Sequence, residues 1–187
     1  MKKIVFLLSA FAIMLSAANN KANELQTKCD NNDLEACSDL GFLYSEGLEI
    51  NGDDKKAIEL FTKACEGGYS RGCAELGVMY EGGFGVQKDT KKAISLYEKA
   101  CKNEYLKSCN YLGTMYASQK DYDKAKDLFI KSCDKGSAMG CFSIATLYHN
   151  AKGFKNDINM AMKYYKKACD LKDEIACVQY ENLKEKK

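Results

Sequence analysis

The 187-residue chain has no proline, no tryptophan and a single histidine, His149. Without proline, nothing removes a backbone donor or clashes with a preceding turn, so helices can run uninterrupted. With one histidine and no Cys-x-x-Cys pair, the residues for a zinc site or a thioredoxin-like redox centre are missing. No metal and no cofactor is therefore expected. A charge excess of one sign is also missing: 28 basic residues face 26 acidic ones, scattered rather than striped. That balance argues against nucleic acid or an anionic membrane surface as a partner. No strand-like alternation of apolar and polar residues is present.

One long apolar run exists, at the start: "MKKIVFLLSAFAIMLSAANN". Lys2 and Lys3 precede an apolar stretch from Ile4 to Leu15 that is too short to span a bilayer, and Ser16-Ala17-Ala18 offers small residues for cleavage. Residues 1–18 are thus expected to be a signal peptide. No cysteine stands at the cut and no stop-transfer pattern follows, so no membrane anchor is expected. Removing Lys2 and Lys3 leaves 26 basic against 26 acidic residues in 19–187. The expected location is periplasmic or secreted, and the expected state a monomer.

Export frames the ten cysteines as a disulfide framework. They come in pairs eight residues apart: "TKCDNNDLEAC", "KACEGGYSRGC", "KACKNEYLKSC", "KSCDKGSAMGC" and "KACDLKDEIAC". The pairs start at 29, 65, 101, 133 and 169, in steps of 36, 36, 32 and 36 residues. A repeat of that length means tandem supersecondary units. Each second cysteine opens a block such as "CAELGVMY", in which Cys73, Leu76, Gly77 and Tyr80 share one helical stripe. A turn and a second block follow, such as "KKAISLYEKAC". The expected repeats are 33–68, 69–104, 105–136 and 137–173, with a capping helix over 174–187.

Gly41, Gly77 and Gly113 recur inside helices, where each costs about 1 kcal/mol against alanine. A neighbouring helix passing too close for a side chain would explain them, and Ala145 fills the fourth site. Asp54 and Asp89 are expected to start the second helices of their units. A single helix through "CEGGYSRGC" would hold its cysteines about 12 Å apart, whereas a disulfide needs Cα atoms within roughly 7 Å. The chain must therefore reverse between them, at Gly67-Gly68 in that unit. The expected bridges are Cys29–Cys37, Cys65–Cys73, Cys101–Cys109, Cys133–Cys141 and Cys169–Cys177.

The phrase "CAELGVMYEGGFGVQKDTKKAISLYEKAC" resembles the Sel1-like repeat, a relative of the tetratricopeptide repeat. The signal peptide and the cysteine at every joint resemble the Helicobacter cysteine-rich protein family. The likeness covers nearly all of 19–187, although "ASQKDYDKA" is four residues short and lacks the glycine turn. It implies an all-α, right-handed solenoid of helix–turn–helix repeats with one disulfide at each joint. It also implies two conflicting roles: slow β-lactamase activity with penicillin binding, or a concave surface for peptides and partner proteins.

For hydrolysis, the one Ser-x-x-Lys tetrapeptide is Ser132-Cys133-Asp134-Lys135. Ser132 and Lys135 are the catalytic candidates. Ser132 also stands where Ala64, Ala100 and Ala168 stand in the other units, as a packing residue would, and neither an SDN nor a KTG helper is present. For binding, the tetratricopeptide analogy places Ser38, Phe42, Arg71, Val78, Lys107, Asn110, Thr114, Phe142 and His149 on the inner groove. A cationic spot, an amide and exposed aromatic rings suit a peptide or peptide-like ligand. His149 by itself reads as a solvated helix-end residue.

The leading expectation is a stapled repeat protein that binds a peptide or peptidoglycan-like ligand, with β-lactam binding implied by the family. A genuine β-lactamase and a non-enzymatic scaffold for a partner protein stand beside it. Each bridge closes a short loop worth roughly 2–3 kcal/mol. Reduction should therefore lower the melting temperature sharply while circular dichroism still records much of the helix; equal melting of reduced and oxidised protein would refute the staples.

Overall fold

The computed structural model describes residues 20–47, 51–150 and 157–185, so the expected signal peptide lies outside the described residues. Among those residues there are ten helices and no strand: α1 (20–30), α2 (Leu34–Glu46), α3 (Asp54–Glu66), α4 (Ser70–Gly82), α5 (Thr90–Lys102), α6 (Leu106–Ser118), α7 (Tyr122–Asp134), α8 (Ala138–His149), α9 (Ile158–Asp170) and α10 (Glu174–Glu185). They fall into two compact units, one ending at Lys99 and one beginning at Ala100.

Helix starts are set by short acceptor side chains that take up orphan N–H groups. The Asp33 carboxylate accepts from Ala36, Asp89 from Lys92, Asp157 from Met160 and Asp173 from Ala176, at 2.8–3.0 Å. In α3 the cap is Asp53, which accepts from Lys55 and Lys56. Asp54, expected to be the starter, is the first helical residue instead. With two adjacent aspartates, the one whose backbone is extended (Asp53, φ −150°) can turn its carboxylate onto the helix end.

Within each repeat a tyrosine ties the two helices together. The carbonyls of Tyr44, Tyr80, Tyr116 and Tyr148 accept the N–H of Asp53, Asp89, Asp121 and Asp157, the residue that starts the next helix. Lys56, Lys92 and Lys124 lie over the first three rings at 4.2–5.1 Å, a cation–π contact. In the fourth repeat Tyr148 stacks on Tyr164 instead, with 6.0 Å between centroids.

The helical glycines have the expected cause. A Cβ on Gly41 would lie 2.8 Å from the Phe61 ring, one on Gly77 2.6 Å from Tyr97, and one on Gly113 2.6 Å from Phe129. Each ring belongs to the second helix of the same repeat and is essentially fully buried.

Every joint turns the same way. The third residue after each leading cysteine is left-handed: Asn32, Gly68, Glu104, Gly136 and Lys172, with φ from 65° to 98°. The reversal rests on Gly68 alone in its joint, because Gly67 keeps a right-handed φ of −68°. All five expected bridges are present, with Cα atoms 4.4–4.7 Å apart. No free cysteine remains.

Lysines then lock one joint to the next. The Lys63 ammonium donates to the Cys29 carbonyl at 2.6 Å, and Lys99 donates to the Cys65 carbonyl at 2.8 Å, each 34 residues back. A cation on carbonyls at the end of a helix complements the helix dipole and adds a second donor to an oxygen that already accepts one backbone N–H. Lys167 reaches Asp134 at 2.9 Å in a comparable span.

Two substitutions test this reading. Gly77→Ala gains about 1 kcal/mol of helix propensity, but overpacking against a ring costs about 1–3 kcal/mol. Tyr97 has no open side to yield into, so a net fall in melting temperature is expected. Lys172→Gly removes left-handed strain at an exposed joint, and thermal denaturation should show a gain of about 1 kcal/mol.

Candidate functional site

In the first unit the expected binding residues divide. Ser38 is fully buried, and its hydroxyl has no hydrogen-bond partner among the described residues. It is packing, not groove. Phe42 is 40% exposed and Val78 half-buried. Arg71 is committed to the Asp39 carboxylate at 2.7 Å, and its guanidinium lies 5.9 Å from the Phe42 ring centre. Phe42 and Val78 line a cleft of about 310 Å³. The buried Phe61 and Met79 form its floor, and Phe84, 52% exposed, completes the apolar wall. Ser45, Glu46, Asp54 and Glu75 make up the polar part of the lining.

In the second unit Asn110 is also buried, at 2% exposure. Its amide donates to the Ser137 hydroxyl at 2.9 Å, and that hydroxyl in turn accepts from the Gly140 N–H at the start of α8. Its amide nitrogen thus supports a helix start, while its Oδ1 is buried with no hydrogen-bond partner among the described residues. The position is the one Ser38 holds: after the second cysteine of the first three bridged pairs that begin a repeat, Ser38, Ala74 and Asn110 are all closed over by their neighbours. Lys107 is exposed with its ammonium 5.6 Å from the Tyr111 ring centre. Thr114 is exposed, its hydroxyl donating to the Asn110 carbonyl. Phe142 is half-buried against Tyr165, with ring centres 5.5 Å apart.

His149 is not the solvated end residue that the sequence suggested. It is half-buried, edge-on to Tyr165 at 6.0 Å, with Nδ1 3.4 Å from the tyrosine hydroxyl. Tyr97 makes an equivalent reach in the first unit, donating to Glu81 at 2.8 Å. Burial pushes the Tyr165 hydroxyl above its usual pKa, partly offset by the hydrogen bond with Thr146.

The hydrolytic pair does not assemble. Ser132 is fully buried, its hydroxyl facing the Leu106 carbonyl at 3.5 Å, and the space above Gly140 is filled by that same side chain. Lys135 is exposed and ion-paired with Glu104. A packing residue in the slot of Ala64 and Ala168 describes Ser132; a nucleophile open to substrate does not. Among the described residues, no group of three or more His, Cys, Asp or Glu could hold a metal ion, and no helix is long and apolar enough to cross a membrane.

The Sel1 repeat family matches four consecutive segments, 34–69, 70–105, 106–137 and 138–173. The chain is a Sel1 repeat protein. Among solved structures it is similar to a protective antigen of uropathogenic Escherichia coli strains displaying an SLR fold, at 28% identity and a TM-score of 0.77 over 84% of this chain and 35% of that one. It is also similar to a Sel1 repeat protein from Oxalobacter formigenes, at 25% identity and a TM-score of 0.70 over 80% of this chain and 61% of that one. The chain therefore spans about a third and about three-fifths of the length of these two proteins. A cysteine-rich protein B of Helicobacter pylori is matched at 25% identity over 87% of this chain and 94% of that one, with a TM-score of 0.36. No curated protein matches at a significant level.

For a Sel1 repeat protein, the five bridges fit an oxidising, non-cytoplasmic setting. Phe84 lies in "EGGFGV", where the glycines by themselves point only to a turn. An aromatic residue set among glycines is the signal that could have marked it. Because the hydroxyl of Tyr165 ionises less readily folded than unfolded, its contribution is complete below the ordinary tyrosine range and is lost as pH rises through the elevated folded value. Stability should accordingly decline from about pH 10 upward, a limb that Tyr165→Phe should reduce in pH-dependent melting.

Proposed function

We propose that this Sel1 repeat protein is exported to the periplasm or beyond the cell, and that it binds an extended peptide or peptide-like segment of a partner rather than catalysing a reaction. The observation that carries this reading is the first unit's cleft, where Phe42 and Phe84 stay 40% and 52% exposed above a buried apolar floor. Exposed aromatic rings around a depression are an apolar surface left for a partner. Sel1 repeats generally mediate protein–protein contact, which agrees with a partner protein as the source of that segment. A peptidoglycan stem peptide is the cell-wall form of the same chemistry. A penicillin, itself a peptide mimic, would enter the same cleft as a ligand.

The alternative, a β-lactamase as main role, loses the support of its Ser-x-x-Lys candidate, since Ser132 is buried. A random linear peptide library panned against the oxidised protein tests the binding reading. Enriched peptides whose affinity falls on Phe42→Ala are expected, and the absence of any enriched peptide would overturn it. Incubation with a chromogenic cephalosporin supplies the enzymatic control. Any slow turnover should be the same in Ser132→Ala, whereas a covalent penicillin adduct lost in that variant would restore the hydrolase.

A further inference from the structure

The lining of the first unit's cleft has a charge pattern as well as an apolar one. Three carboxylates, Glu46, Asp54 and Glu75, share it with Phe42, Val78 and Phe84, and no lysine, arginine or histidine is part of it. Arg71, the cation over Phe42, is already balanced by Asp39. Glu46 and Asp54 have no ion-pair partner among the described residues. Glu46 and Asp54 therefore leave negative charge beside a low-dielectric wall, which concentrates cations.

The aromatic wall is built in advance. A Cβ on Gly82 would lie 2.1 Å from the Phe84 ring, so the ring rests directly over that glycine. Gly83 and Gly85 are left-handed, with φ of 77° and 63°, and a Cβ on Gly85 would lie 2.5 Å from the Cβ of Asp54. Three glycines thus hold Phe84 beside α4 and the loop against Asp54 at the start of α3. An aromatic face next to carboxylates matches a side chain with an apolar stem and a cationic head: the stem lies along the rings, and the head gains both cation–π and ionic contact. The volume, about 310 Å³, is at the low end for a ligand pocket and suits one long side chain with its adjoining backbone.

We propose that the cleft formed by Phe42, Val78, Phe84, Glu46, Asp54 and Glu75 receives a lysine or arginine side chain of the partner's peptide segment. This specificity rests on the peptide-binding reading above and narrows its ligand to a basic one.

The test uses peptides recovered from a random linear library on the oxidised full-length protein, with affinities read by fluorescence polarisation. Enriched sequences should share a lysine or arginine, and replacing it by norleucine should weaken binding about tenfold. The double variant Glu46→Gln, Asp54→Asn should weaken the parent peptide by a similar factor, and added salt should do likewise for the wild type. Glu46→Gln alone, at the exposed end of α2, provides a variant with little bearing on folding, and it should show part of the loss. Enriched peptides without a basic residue, or with unchanged affinity for the double variant, would overturn the basic-ligand inference and leave peptide binding intact. A library that yields nothing would overturn both.

Discussion

The constraint on which the structure depends is the reversal of the chain at each joint, held within a few ångströms by a disulfide. Between leading and trailing cysteine the backbone must end one helix, pass through a left-handed residue and begin another. The bridges join Cα atoms only 4.4–4.7 Å apart, which a continuous helix could not supply. With the joints fixed, the remaining contacts have little freedom. In the first three repeats the aromatic residue of the second helix falls on the first helix of its own repeat, where a glycine admits it. The lysine two residues before Cys65 and Cys101 comes within reach of the carbonyl at the previous leading cysteine. Small repeat units have little core of their own, so such nearest-neighbour terms carry much of the stability.

The same regularity explains which side chains stay open to solvent and which do not. In the first three repeats the residue following the trailing cysteine is turned into the packing, and so Ser38, Ala74 and Asn110 are buried despite their different chemistry, whereas Phe142 is half-buried and Val178 exposed. The position five residues after the cysteine, where Phe42, Val78 and Thr114 stand, keeps access to solvent or half of it. Variation in that row and in the turn between the helices of a repeat is what distinguishes one unit from another. In the repeat of "EGGFGV" the turn contributes an aromatic wall, whereas the shortened turn at "ASQKDYDKA" has no residues to spare for one.

Much of the fold was legible because it is repeated. Spacing alone gave the helix pairs and the five bridges, and the glycines signalled close approach before any ring was known to be there. What remained hidden depended on which side of a helix a neighbour covers. A stripe pattern marks the packed face of an isolated helix, but Asn110 is buried by a second neighbour through its bond to Ser137, and no periodicity in one helix reports that. Similarly, His149 looked solvated because the partner that half-covers it, Tyr165, lies 16 residues later on another helix. The choice of Asp53 over Asp54 as cap was beyond pattern reading, since both satisfy it and the backbone decides. The acidic cleft was missed for a related reason: Glu46, Asp54 and Glu75 belong to three different helices and meet only in the folded unit.

Pairing of nearest cysteines also bears on how the protein matures. Because every bond joins neighbours in sequence, a chain delivered amino end first always offers a thiol its proper mate before a wrong one arrives. Oxidation can then proceed in order, joint by joint, without the shuffling that interleaved connectivities demand.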